Sequence, residues 1–237
     1  MSSELLSSDI LNAVTNYVAD LKKSVAFVLQ AGTHDKREEL VDFLSTLAAT
    51  SPLLTLEQRD TQGSLRSPIS FTLEADGAAT GITFSGIPSG HEFNSLILAI
   101  LQSGADSDLK LDTSIIETVQ SISHLVKFEV FISLSCHNCP DVVQTLNKFA
   151  LLNEKISTEM IDGGLFQEIV AEREIQGVPS VFMNDELFMN GKVDIANIID
   201  KLRPLAAEKN NAPIQRIPEQ DVAVIGGGPA AISAAIY

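Results

Sequence analysis

Two cysteines are all that the 237 residues contain, and neither a second C-x-x-C nor an H-x-x-x-H accompanies them. A mononuclear zinc site takes four thiolate or imidazole ligands, so none can be completed from the chain's own motifs; a cluster shared between two copies stays open. The four histidines, His34, His91, His124 and His137, stand singly. Cations are also scarce. Sixteen Lys and Arg face 31 Asp and Glu, a formal net charge of −15, and such a surface repels nucleic acid while favouring solubility. No apolar run reaches the length of a membrane span, and Met1-Ser2-Ser3-Glu4 lacks the basic start of a signal peptide. The expected setting is the cytoplasm, where a cysteine pair is more often catalytic or metal-binding than structural. With 45% apolar residues, the length suffices for two ordinary domains or one large one.

The two cysteines are three apart, in Cys136-His137-Asn138-Cys139, after the β-rich run Lys127–Ile132 and before a helical pattern. A strand that feeds this motif into a helix N-terminus sets the first sulfur beside unpaired backbone N–H groups and the positive end of the helix dipole. Thiolate is thereby favoured, and thiolate is the species that attacks a disulfide. The second sulfur, one turn inside the helix, can then attack the first once it is joined to a substrate. As a staple the pair would do little: closing so short a loop gives only about 2 kcal/mol in the chain-entropy model, against about 3 for a fifteen-residue loop. The spacing points to a redox dithiol.

Apolar periodicity divides the rest of the chain. Ile10, Val14, Tyr17, Val18 and Leu21 fall on one helical face, Ser24–Leu29 reads as a buried strand, and the charged start Lys36–Glu39 leads into a helix that Pro52 ends. Strands Leu53–Glu57, Ile69–Glu74 and Gly81–Phe84 follow, the last two turning at Asp76-Gly77, and a helix runs from Glu92 to about Gln102. The second half reads similarly. Helix Leu111–Ile122, with Asp112, Thr113 or Ser114 as N-cap, precedes strand Val126–Ile132, helix Pro140–Leu152, strand Ile156–Ile161 and helix Phe166–Glu174. Strands Ser180–Met183 and Leu187–Met189 then pair across Asn184-Asp185-Glu186, and Val193–Leu202 is the last helix. Each half sets a proline directly before its hairpin, Pro68 and Pro179, so the halves read as copies. Aligned on strand, helix and proline, Gly32-Thr33-His34-Asp35 stands where the dithiol stands in the second half. The first copy can shape, bind or orient, but it has no thiol to exchange.

A strand, C-x-x-C, helix, strand, helix, proline with hairpin, and helix in series resembles the thioredoxin fold. The strings Ser133–Gln144, Ile161-Asp162-Gly163-Gly164 and Gly177-Val178-Pro179 resemble, more narrowly, the N-terminal domain of the F subunit of bacterial alkyl hydroperoxide reductases, a similarity that spans the chain. The resemblance implies an α/β architecture of two tandem thioredoxin-like folds, residues 1–105 without a dithiol and 106–204 with it. It implies a cis Val178-Pro179 bond facing the dithiol, whereas Pro68 also reads as a trans proline at a strand edge. It implies electrons passing from NADH to FAD, to a dithiol of a flavoprotein module, to Cys136 and Cys139, and on to the disulfide of a two-cysteine peroxiredoxin, the reductase's C subunit. Cys136 would attack and Cys139 resolve, in support of alkyl hydroperoxide and hydrogen peroxide detoxification, within a parent that dimerises through its flavoprotein module. A free-standing dithiol oxidoreductase of broad specificity is the alternative.

Residues 221–237 open like a dinucleotide-binding unit, a strand followed by G-x-G-x-x-A at Gly226, Gly228 and Ala231. The chain stops at Tyr237, before such a unit is complete, so the expectation is a truncated piece in which these residues would hold FAD only in the intact parent. Residues 205–220, polar and punctuated by Pro213 and Pro218, read as a linker with a mean reach of about 20 Å. Three nearby residues are candidates for support. His137 either brings positive charge to the thiolate or is merely exposed, and Pro140 suits an early helical position, where its missing N–H costs nothing. By position Glu92 is a first-turn carboxylate favoured by the helix dipole; the resemblance implies an acid from the first copy near the dithiol, accepting and returning a proton, and Glu92 sits at the matching motif.

Overall fold

Apolar and polar residues alternate along the first half's strands, the pattern of a sheet with one face in a core. On β3 (Ser70–Ala75) Phe71 and Leu73 are buried, and on β4 (Ala78–Ser85) so are Ile82 and Phe84. Ser70, Thr72, Thr83 and Ser85 point to the opposite face. The computed structural model describes residues 6–105, 108–191 and 195–206. Its first half comprises α1 (Ser8–Val18), β1 (Val25–Gln30), α2 (Arg37–Ala48), β2 (Leu54–Arg59), β3, β4, a one-turn 3-10 helix Gly90–Glu92 and α3 (Phe93–Gly104). The second half comprises α4 (Thr113–Ser121), β5 (Val126–Ile132), α5 (Cys139–Leu152), β6 (Ile156–Asp162), α6 (Gln167–Glu172), β7 (Ser180–Met183), β8 (Glu186–Asn190) and α7 (Ile195–Ala206).

The strands form one sheet in the order β2-β1-β3-β4-β6-β5-β7-β8. Each half contributes the same four-strand pattern: a parallel pair (β1 with β2, β5 with β6), then an antiparallel hairpin on the other side of its first strand. The halves meet where β4 runs parallel to β6, Ile82 opposite Thr158 and Ser85 opposite Ile161. Gly81 makes that junction possible. Its φ is +76°, and a Cβ there would stand 2.8 Å from the Ile156 carbonyl oxygen. One apolar core under α2, α3 and α5 draws Phe27, Phe43, Phe71 and Phe84 from the first half and Phe128 and Phe149 from the second. A smaller cluster, Phe131, Ile161 and Phe182, lies on the opposite face and is packed by Ile169 and Val170 of α6.

The repeat is imperfect there: between β2 and β3 the first copy has a loop, residues 60–69, where the second has α6. Other departures from expectation have local causes. Ile10 and Tyr17 are 38% and 60% exposed, because α1 packs chiefly on α3 and buries only Val14 and Val18, with Leu21 beyond its end. β4 begins at Ala78, ahead of its first strongly β-prone residues, because β3 already supplies a ladder partner. The second hairpin turns on Asn184 and Asp185 alone, at φ +49° and +68°, leaving Glu186 in β8; Asp76-Gly77 turns the first at +48° and +77°. Helix α6 is two residues shorter than predicted at its C-terminal end, and Asp112 is the α4 N-cap without a side-chain bond. The motif Gly226, Gly228, Ala231 and all but the first two residues of the predicted linker lie outside the described residues.

Candidate functional site

Strand β5 ends at Ile132 and α5 begins at Cys139, so the intervening loop delivers the second cysteine as the first helical residue, with Pro140 behind it. Within the loop the Cys136 N–H donates to the Ser133 carbonyl (2.9 Å). Cys136 and Cys139 are joined by a disulfide, Cα atoms 5.6 Å apart. Cys139 is fully buried, Cys136 half-buried and His137 exposed. An attacking thiolate needs access and a resolving one needs only reach to its partner, and this asymmetry supplies both. Across from the disulfide, the Cys136 Sγ lies 3.8 Å from the Val178 carbonyl oxygen, and the Val178–Pro179 bond is cis. That segment is tied down by the Gly191 N–H donating to the Pro179 carbonyl (2.8 Å) and the Ser180 hydroxyl donating to the Gly177 carbonyl (2.7 Å).

The first copy reaches this loop through its 3-10 turn. His91 N–H donates to the Leu134 carbonyl (3.2 Å), and the His91 ring lies 4.2 Å, centroid to centroid, from that of His137. Two histidines that stand singly in the sequence therefore meet beside the dithiol. Glu92, next in the turn, is fully buried, and neither carboxylate oxygen has a hydrogen-bond partner in the structure. Burial pushes its pKa up to about 7, opposed in part by the nearby Ser95 hydroxyl. Ser95 Oγ in turn accepts from Gln144 Nε2 of α5 (3.2 Å). No local pattern announces the pairs His91–His137 and Ser95–Gln144, since each joins residues more than 45 positions apart.

The equivalent place in the first copy is closed. Helix α2 begins at Arg37, seven residues after β1 ends, just as Cys139 follows Ile132 by seven. His34 and Arg37 thus stand where Cys136 and Cys139 stand, a shift of two from the alignment through Gly32-Thr33-His34-Asp35. Arg37 Nη1 donates to the carbonyls of Gln30 and Pro68 (both 2.5 Å) and its Nη2 to Gln58 Oε1 (2.9 Å). A guanidinium with rigid, divergent donors can bridge the strand end to the hairpin proline, which a thiol cannot. Gly32 leans on that proline, where a Cβ would come within 2.7 Å of Pro68 Cγ.

A second polar cluster sits on the sheet face away from the dithiol helix. Glu129 and Glu159 lie directly opposite on β5 and β6. Arg66, from the first copy's loop, binds Glu159 through Nε (2.8 Å) and also contacts Glu129, which takes Arg173 as well (2.6 Å). Ser85 Oγ donates to Glu159 (2.5 Å). Burial works against ionising Glu129, yet Lys127, Arg173 and Arg66 together hold its carboxyl below the ordinary range. This cluster joins the two copies and carries no group the dithiol could use. Among the described residues no set of three or more His, Cys, Asp or Glu is placed to hold a metal ion, and no helix is long and apolar enough to cross a membrane.

Comparison with known proteins agrees with this geometry. A thioredoxin-domain family model matches residues 126–203. The F subunits of the Staphylococcus aureus and Pseudomonas aeruginosa alkyl hydroperoxide reductases are each 40% identical over 233 residues, 98% of this chain but 44% of theirs, so the chain spans less than half the length of these curated relatives. The solved NTD_N/C domain of Enterococcus faecalis alkylhydroperoxide reductase AhpF is 31% identical with a TM-score of 0.76, covering 83% of this chain and 99% of that one. A point mutant of AhpF from the same organism gives 32% and 0.77, covering 84% and 100%. A protein disulfide oxidoreductase from Aeropyrum pernix shares the fold at 21% identity and a TM-score of 0.72, covering 85% and 94%.

Proposed function

The chain belongs to the family of alkyl hydroperoxide reductase F subunits, and from that premise we propose that its dithiol relays electrons, two at a time, from the family's flavoprotein module to the disulfide of a two-cysteine peroxiredoxin. The observation that carries this reading is the half-buried Cys136 bonded to a fully buried Cys139 at the start of α5, facing Val178 and the cis Pro179. In the reduced chain the Cys136 thiolate attacks one sulfur of the partner's disulfide. That S–S bond breaks, a mixed disulfide forms, and the partner's other sulfur leaves as a thiolate. Cys139 then gives its proton to the Glu92 carboxylate and attacks the Cys136 sulfur, which expels the partner's second thiolate. Two electrons have moved from the dithiol to the partner.

Glu92 suits the proton step because a group with a pKa of about 7 both accepts and returns a proton near neutrality. His137 supplies positive charge near Cys136 when protonated. Reset of the Cys136–Cys139 disulfide needs two electrons, which the parent's flavoprotein module would supply from NADH by way of FAD and its own dithiol; the residues that would hold that flavin, Gly226, Gly228 and Ala231, lie outside the described ones. We place the two thioredoxin-like units at 1–105 and 106–204, and the parent in the cytoplasm as a homodimer serving peroxide detoxification.

The test is trapping. With the reduced chain and an oxidised two-cysteine peroxiredoxin, Cys139→Ser accumulates a mixed disulfide through Cys136, whereas Cys136→Ser accumulates none. Equal trapping by both variants overturns the roles. Equal rates toward the peroxiredoxin and toward an unrelated protein disulfide overturn the partner and favour a broad-specificity oxidoreductase.

A further inference from the structure

The copy without thiols holds the loop of the copy that has them. Three features join the turn Gly90–Glu92 to Leu134–His137, two at the Leu134 carbonyl and one at the His137 ring. Gly90, at φ +56°, lies so close that a Cβ on it would stand 2.8 Å from the Leu134 carbonyl oxygen. His91 N–H donates to that same oxygen. The His91 ring packs on the His137 ring at 4.2 Å, tilted 47°.

Leu134 stands two residues before Cys136, whose own N–H is bonded to Ser133. The carbonyls at both positions of this short turn are thus engaged, one within the loop and one by the first copy. Little freedom remains for the Cys136 sulfur to shift relative to the α5 N-terminus or the Val178 carbonyl. Thiolate stability depends on that placement, because the N–H groups and dipole at a helix start act only over its first turn.

We propose that the turn Gly90–Glu92 is a brace that sets the reactivity of the dithiol, with Gly90 and His91 as positioning residues. The brace gives the first copy a part in the chemistry without a thiol of its own. Gly90 is required because the approach to Leu134 leaves no room for a side chain and the backbone takes a left-handed conformation. His91 acts twice, through its backbone N–H on Leu134 and through its ring on the residue between the cysteines.

The test uses the full chain and small thiols only, so it stands or falls apart from the peroxiredoxin reading. In the reduced chain, the pH profile of Cys136 alkylation and the equilibrium constant for disulfide exchange with a dithiothreitol redox buffer are measured for Gly90→Ala, His91→Ala and His91→Phe. His91→Ala is expected to move the exchange constant about threefold, the scale of one lost ring contact, and to move the alkylation midpoint with it. His91→Phe, which restores a ring, returns both toward the starting values. In a His137→Ala background His91→Ala adds nothing further, since the ring it acts on is gone. Gly90→Ala moves both readouts further than His91→Ala; should it fail to fold, the exposed His91 position decides alone. An unchanged midpoint and exchange constant in His91→Ala overturn the proposal, as does a loss of thermal stability without a change in either.

Discussion

Replacing Glu92 by Gln should remove a contribution to this protein's stability that falls as pH rises. The carboxyl is fully buried and its pKa is pushed up from 4.5 to about 7, so it binds its proton more tightly folded than unfolded. Between about pH 4.5 and 7 the folded chain then holds the extra proton, and this residue's contribution to stability falls as pH rises across that window. Every tenfold gain in proton affinity on folding is worth about 1.4 kcal/mol, so the loss is roughly 3 kcal/mol in all. Glutamine has no proton to release. A buried amide without partners has a cost of its own, but that cost does not vary with pH, and Asp162 and Glu129 titrate equally in both proteins. The informative quantity is therefore the difference between variant and parent, measured by urea unfolding at pH 5 and at pH 8. Relative to the parent, Glu92→Gln gains about 2–3 kcal/mol between the two, a shift of roughly 1 M in midpoint for a chain of this size. Curves that stay parallel would refute the reasoning, because a carboxyl that titrates normally binds its proton equally in both states and adds no pH dependence.

Arg66→Ala removes one partner from two buried carboxylates and should cost about 3 kcal/mol in urea unfolding, a loss that added salt does little to change because the pairs are shielded from solvent; a cost under about 0.5 kcal/mol would place the network among surface pairs. Arg37→Ala frees the carbonyls of Gln30 and Pro68 and should cost about 2 kcal/mol while leaving disulfide exchange at Cys136 unchanged. A fall in exchange rate matching the fall in stability would mean that the first copy's closed site is coupled to the second copy's dithiol.

What could be read from the chain and what could not divide along local and non-local lines. Strands β5 and β7 fall at the expected bounds, Val126–Ile132 and Ser180–Met183, because dense β-branched and aromatic residues meet turn-forming ones at both ends. The dithiol was legible because its chemistry is written in four consecutive residues, and the tandem arrangement because each copy repeats strand, helix and hairpin proline. Tyr17 reads as core by its spacing, yet its exposure depends on how much of α1 a neighbour covers, which periodicity does not encode. Arg37 illustrates the same limit in another way. The strand expected to end at Leu29 runs on to Gln30, and only from that observed end does the count of seven set Arg37 opposite Cys139; its bonds to Gln30, Gln58 and Pro68 exist only once the sheet has formed. The contact of His91 with His137 needs the two copies to be docked, so it has no signature in either one.

The parallel seam between β4 and β6 bears on what would happen if the copies were parted. Separated, the first would end its sheet at β4 and the second at β6, each with a row of free N–H and C=O groups of the kind that recruits other chains. Along the paired stretch those rims carry the apolar Ile82 and Phe84 on one side and Met160 and Ile161 on the other, with Glu159 the one charged residue to discourage pairing. Joined, the two halves satisfy each other's borders and, among the described residues, leave only β2 and β8 at the margins. The thiol-free copy is therefore also a permanent guard on the flank of the redox-active one, and a half expressed alone would be expected to find its missing neighbour in another molecule.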